Sequence, residues 1–187
     1  KSDFDEHKTY DFKLKYPLFV KACRSGSSFG VQKVHQASEL NIALKSALKF
    51  DNQLLIEEGL SGLELTCGVF ENEKGVQTIA VTEIQTDQDF FDYEAKYEGK
   101  SQEITPARLT ESQEKRVTEV AKRVYEILNM SGFSRSEFIF VNDEPHFLEM
   151  NTVPGLTEAS ILPQQANQAG ISLTELFGNA IETTLKN

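Results

Sequence analysis

Glu149 and Asn151 stand two residues apart in Phe147-Leu-Glu-Met-Asn-Thr-Val-Pro-Gly155, an apolar run that breaks at Pro154-Gly155. On a β-strand, residues two apart share one face. The run therefore aims two hard oxygen ligands at one spot where the strand ends. Such a pair suits Mg²⁺, which takes one or two carboxylates and completes its octahedron with water and phosphate. The plain alternative is an edge strand with a polar, wetted face. Arg135 and Glu137 repeat the same spacing on the preceding apolar run. If the two runs pair as a hairpin, two carboxylates, an amide and a guanidinium converge. Clustered like charges repel and lose solvation, a cost that a bound cation with phosphate removes.

Three further groupings have suitable chemistry. Lys21 precedes Ser25-Gly-Ser-Ser-Phe-Gly30, and backbone N–H groups of such a loop can cradle phosphate oxygens beside a lysine. The order is neither a P-loop nor a dinucleotide fingerprint, and a mobile hairpin tip is the competing reading. Glu57 and Glu64 flank the Gly59-Leu-Ser-Gly62 turn, where a carboxylate could accept from ribose hydroxyls or simply be solvated. Phe90-Phe-Asp-Tyr-Glu-Ala-Lys-Tyr97 sets Lys96 and Tyr97 among aromatics. Such a segment either closes over an anion as a lid or packs onto its own domain. His7, His35 and His146 have no ligand or triad spacing, no Gly-x-Ser-x-Gly elbow is present, and Cys23 and Cys67 form no metal or thiol motif.

The elements that must position these groups follow from periodicity. Residues 16–22 and 31–34 predict a hairpin around the Gly/Ser loop. An apolar stripe at 40, 43, 44, 47 and 48 predicts a helix over 36–49. Strands are expected at 53–58, 64–70 and 76–84, the last two joined by Asn72-Glu-Lys-Gly75. Residues 86–99 read as a long loop, which in a compact domain is usually functional or disordered. Thr110 with Gln113 has the pattern of a capping box, opening a helix with apolar positions 117, 120, 121, 124, 127 and 128. Strands at 136–141 and 146–150, a short helix at 162–169, and a final helix capped by Ser172 and Glu175 complete the chain. The fold class is α+β in two subdomains: 1–100 with the Gly/Ser and lid loops, and 101–187 with the oxygen-ligand cluster.

Composition narrows the partners. The net charge of −10 argues against nucleic acid, while leaving room for a small basic pocket. No apolar run reaches the length of a membrane span, and no signal peptide is visible. Two cysteines are too few for a disulfide scaffold, so a reducing compartment is expected. The chain begins at Lys1 and reads as a piece of something longer.

Taken together, Phe19-Val-Lys21, Gly26-Ser-Ser-Phe-Gly30, Glu57, Phe91-Asp-Tyr-Glu-Ala-Lys-Tyr97 and Glu149-Met-Asn-Thr-Val-Pro-Gly155 resemble, in order, the D-alanine–D-alanine ligases of the ATP-grasp superfamily. The resemblance runs from about residue 17 to the C-terminus. It implies two α+β subdomains with antiparallel sheets enclosing a nucleotide site. The implied enzyme is a bacterial, cytoplasmic one of cell-wall synthesis, in which ATP phosphorylates one D-alanine and the amine of a second attacks the acyl phosphate. By position, Lys21, Ser27, Ser28 and Lys96 would serve the nucleotide phosphates, and Glu57 and Glu64 the ribose. Glu149 would bridge two Mg²⁺ (or Mn²⁺) ions, with Glu137 on one and Asn151 on the other. Arg135 would stabilise the oxyanion, Tyr97 would pin the lid to Ser27, and Gly155 and Ser160 would hold the second alanine's carboxylate. Tyr97 rather than Phe is the choice of dipeptide-forming members. The family usually has Asp at 137 and Tyr at 91. It also carries an N-terminal domain, with an upstream lysine, that binds the first D-alanine. A homodimer of the whole enzyme is consistent with the resemblance, and the 187 residues alone are expected to bind ATP weakly and ligate poorly. Another ATP-grasp carboxylate–amine ligase, or a nucleotide-binding module without catalysis, are the competing readings.

Overall fold

The computed structural model describes Asp5, Lys8, Tyr10, residues 12–86 and residues 101–186. The expected lid, with Phe91, Lys96 and Tyr97, lies outside the described residues. The chain divides into two compact units at Leu60/Ser61.

In the first unit, β1 (Leu18–Ala22) is flanked by β2 (Gln32–Val34) and β3 (Leu54–Glu58), both antiparallel to it. Alternate residues of β1, Leu18, Val20 and Ala22, are buried, as its β-branched and aromatic composition predicts. Helix α1 (Ala37–Ala47) buries Leu40, Ala43, Leu44 and Ala47 against Leu18, Val20 and Val34. The expected hairpin and helix are both present.

The second unit is a five-stranded antiparallel sheet in the order β6-β5-β4-β7-β8. Its strands are β4 (Leu63–Asn72), β5 (Gly75–Thr86), β6 (Ser101–Ile104), β7 (Phe133–Val141) and β8 (Glu144–Asn151). Gly75 closes the β4–β5 hairpin at a left-handed φ of 89°. Odd residues of β4 (Leu65, Cys67, Val69) join Val81, Phe138 and Phe140 on one face, covered by Val117, Ala121 and Tyr125 of helix α2 (Glu111–Ile127). Burying each large side chain there contributes roughly 1.5–3 kcal/mol. Burial pushes the Cys67 thiol up to about 12 and leaves it inert. The Thr110–Gln113 capping box closes reciprocally, with Gln113 N donating to Thr110 Oγ1 at 3.3 Å and Thr110 N to Gln113 Oε1 at 2.9 Å. The opposite face receives helices α3 (Ile161–Gln168) and α4 (Leu173–Lys186), whose Leu162, Ala166 and Leu176 pack on Phe70 and Ile79.

The division differs from the boundary expected near residue 100. The hairpin 63–86 belongs to the second unit, because β4 pairs with β7 from Leu63↔Phe140 to Phe70↔Phe133. Alternation identifies a hairpin but not the strand it will lie beside.

Two carboxylates hold connections in place. Asp51, almost fully buried, accepts from Arg24 N at 2.8 Å, Arg24 Nε at 3.0 Å and Gln53 N at 3.1 Å. It thereby fixes the root of the Gly/Ser loop. Glu83 on β5, 2% exposed, accepts from Arg108 Nε at 3.0 Å and tethers the chain entering α2. The hydrogen bond from Arg108 holds the Glu83 carboxyl below its ordinary value of 4.5. A carboxylate with a depressed folded value contributes stability that is present above the unfolded value and lost as pH falls through the folded one. Arg108→Ala should therefore cost stability at pH 7, with the difference from wild type shrinking below about pH 4.5. Urea midpoints measured from pH 7 to pH 3 test this; a constant gap would reject it.

Candidate active site

The β7–β8 hairpin carries the central cluster. Its turn is tighter than the four residues expected: Asn142 and Asp143 alone form it, at φ 51° and 64°, with Val141 opposite Glu144. Both residues tolerate the left-handed conformation, and such two-residue turns match the twist of paired strands. From that turn the ladder runs to Phe138↔Phe147; a one-residue bulge at Leu148 then shifts the register, and this shift sets Glu137 opposite Glu149 and Arg135 opposite Asn151. Four side chains of the expected types thus occupy two neighbouring rungs of one face.

Arg135 Nη2 donates to Glu137 Oε1 at 2.8 Å, and both residues are buried, at 9% and 4% exposure. With the Asn151 amide oriented to satisfy both ends, its oxygen accepts from the same Nη2 at 3.2 Å and its nitrogen donates to Val153 O at 3.2 Å. One guanidinium therefore orients a carboxylate and an amide together. Glu149 is exposed on the edge strand β8. Among the described residues, no three His, Cys, Asp or Glu side chains form a metal cluster. Two carboxylates and an amide make an open set of hard oxygens, which fits a divalent cation that shares its shell with phosphate and water.

Beyond β8 the chain turns back through Gly155 to Ser160, at the N-terminal end of α3. The structure brings these two residues together: a Cβ at position 155 would lie 2.7 Å from Ser160 Oγ. Ser160 Oγ shares a 2.8 Å hydrogen bond with Thr157 Oγ1 and makes no bond to the helix it precedes. The helix seats closely on the sheet at Gly68, the β-bulge of β4. A Cβ there would meet Gln165 Oε1 at 2.6 Å and Leu162 Cδ1 at 2.8 Å. Glu64 lies near the start of β4.

In the first unit, Lys21 of β1 meets Glu57 of β3, Nζ to Oε2, at 2.5 Å. Ser27 and Ser28 both hold left-handed conformations, at φ 51° and 59°, in the turn after β1. Successive backbone amides in such turns can form anion-binding concavities. Asp51, Glu83, Glu103, Gln164 and Gln165 stand in no motif of the sequence. Only Asp51 carried a local signal, as an Asx residue that bonds its own backbone two residues on.

The sheet presents paired carboxylates, an amide and an arginine on one face, and its fold is that of the ATP-grasp class to which its solved structural neighbours belong. The D-ala D-ala ligase C-terminus family model matches residues 1–182, and the chain belongs to that family. It is 56% identical over 173 residues to a D-alanine–D-alanine ligase of Flavobacterium johnsoniae, covering 92% of this chain and 54% of that protein. Among solved structures it resembles the VanG D-Ala:D-Ser ligase of Enterococcus faecalis, with TM-score 0.80 and 37% identity, covering 90% of this chain and 49% of the other. It also resembles a D-alanine–D-alanine ligase of Bacillus anthracis complexed with ATP, with TM-score 0.77 and 29% identity, covering 96% and 57%. The chain spans about half the length of the curated relatives it matches.

Proposed function

We propose that this chain is the ATP- and metal-binding portion of a D-alanine–D-alanine ligase, which joins two D-alanines at the expense of ATP for peptidoglycan synthesis. The observation that carries the reading is the two-rung cluster: Glu137 opposite Glu149, and Arg135 opposite Asn151. Glu137, Glu149 and Asn151 are the donors for magnesium, two ions in this reading, and the metal when bound supplies charge neutralisation for phosphate oxygens. Arg135, anchored by Glu137, keeps a fixed cation beside the oxygen that gains charge during acyl transfer. Preorganised donors of this kind need no rearrangement as the reaction proceeds. Gly155 leaves room at Ser160, whose hydroxyl and adjacent helix N-terminus suit a substrate carboxylate. Lys21, Ser27 and Ser28 serve the nucleotide phosphates, and Glu57 and Glu64 the ribose. Lys96 and Tyr97 act from the segment before β6. The first D-alanine falls to the part of the longer relatives that this chain does not span.

The test is substrate-dependent turnover by the whole enzyme. ADP and phosphate should appear only with D-alanine present, in step with D-Ala-D-Ala. ADP release indifferent to D-alanine favours a nucleotide-binding module. The likeness to a D-Ala:D-Ser ligase makes D-serine the informative competing acceptor, and a preference for it would replace the reading.

A further inference from the structure

Near its start, α3 carries two neighbouring glutamines that reach in different directions. Gln165 is fully buried, and its Nε2 donates at 3.0 Å to Thr66 O and at 3.0 Å to Thr82 Oγ1. Thr82 Oγ1 shares a 2.6 Å hydrogen bond with Thr105 Oγ1. This chain of bonds fixes the height of the helix over β4 and β5. Gln164 reaches instead to the strand at the end of the sheet, where its Nε2 donates at 3.0 Å to Glu103 Oε2 on β6. The same Nε2 donates at 3.0 Å to Ala159 O, the carbonyl just before Ser160.

Ser160 is held by its own turn and by one long backbone bond from the helix, in which Gln164 N donates to Ser160 O at 3.3 Å. Its N donates to Thr157 O at 2.8 Å, its Oγ bonds Thr157 Oγ1, and no side-chain cap ties it to α3. The 157–160 turn is closed on itself, and its link to the sheet on this side runs through Ala159 O, Gln164 and Glu103. Glu103 is partly buried, which raises its carboxyl above the ordinary value; the hydrogen bond from Gln164 and the charge of Arg135 oppose that rise. A carboxylate acceptor makes a shorter and stronger hydrogen bond than a neutral one. Gln164 Nε2 thus joins Glu103 Oε2 and Ala159 O, at 3.0 Å each, and links the turn to β6.

We propose that Glu103 is a positioning residue for the subsite that takes the second substrate's carboxylate, acting through Gln164 on the Thr157–Ser160 turn. The proposal rests on the function given above. It assigns a selective task to an end strand, β6, whose residues show no motif.

The test uses the whole enzyme with Glu103→Ala, Gln164→Ala, their double variant and Glu103→Gln. Losing one such hydrogen bond should raise the KM for the second D-alanine about tenfold. The KM for ATP and the thermal midpoint should change little. The double variant should be no worse than either single one, because both act through one link. Glu103→Gln keeps an acceptor oxygen and should recover most of the affinity. An unmoved second-substrate KM in Glu103→Ala, or a fall in thermal midpoint with every KM rising together, would overturn the assignment. If the wild-type enzyme shows no D-alanine-dependent turnover, the proposed function fails and takes this inference with it. An active wild type with indifferent Glu103 variants removes the inference alone.

Discussion

Replacing Glu149 with glutamine should abolish metal-dependent turnover and leave the fold intact. The side chain is exposed on β8, and glutamine keeps its shape, so unfolding free energy should move by no more than about 0.5 kcal/mol. What changes is chemical: a charged hard-oxygen ligand becomes a neutral amide opposite Glu137. Even outer-shell changes at metal sites cost about 10–100-fold, so losing a carboxylate that would hold the metal should cost at least about 100-fold in rate or in apparent metal affinity. Initial rates across a magnesium series, beside a thermal melt, separate the two effects. Activity that survives the substitution removes Glu149 from the metal set and reopens the reading of a polar, wetted strand.

Arg135→Ala should fail in both respects. Arg135 and Glu137 are both buried and joined at 2.8 Å. Removing one partner leaves the other charge uncompensated in a poorly solvated place, a loss of about 3–5 kcal/mol. Turnover should fall by about 10²–10³ for loss of one preorganised donor to a developing oxyanion. The double variant Arg135→Ala, Glu137→Gln divides the roles. Neutralising Glu137 should restore much of the stability, since no orphaned carboxylate remains, yet turnover should stay lost. Denaturant midpoints and rates for the four-member cycle provide the measurement. Recovery of activity in the double variant would remove both the oxyanion role of Arg135 and the metal role of Glu137.

The two halves of the central cluster were legible because each depends on the shortest-range rules. Period two puts Arg135 with Glu137 and Glu149 with Asn151, but that both pairs share one face depends on the one-residue bulge at Leu148, which neither alternation nor the turn signals. The capping box at Thr110 and the stripe of α1 were readable from rules of the same short range. The pairing of β4 with β7 was not, because its alternating face fits either neighbour equally well. Asp51, Glu83 and Glu103 look like ordinary surface carboxylates along the chain. Their burial follows from Arg24, Arg108 and Gln164, which reach them from distant segments. Gln165 is the clearest case: its bond to Thr66 spans 99 positions, and nothing near it in sequence distinguishes it from Gln164.

That contrast gives the two halves of the site different histories during folding. The charged quartet needs only one hairpin to close, a low-contact-order event that can precede the rest of the sheet. The Ser160 turn needs α3 to dock on β4, β5 and β6, and so waits for loop closures whose entropy must be met first. Partial opening should follow the reverse course. A chain under mild denaturant should release α3, and with it the proposed carboxylate subsite at Ser160, while the hairpin still holds its acidic pair. Amide exchange should therefore be faster along residues 161–168 than across the β7–β8 ladder.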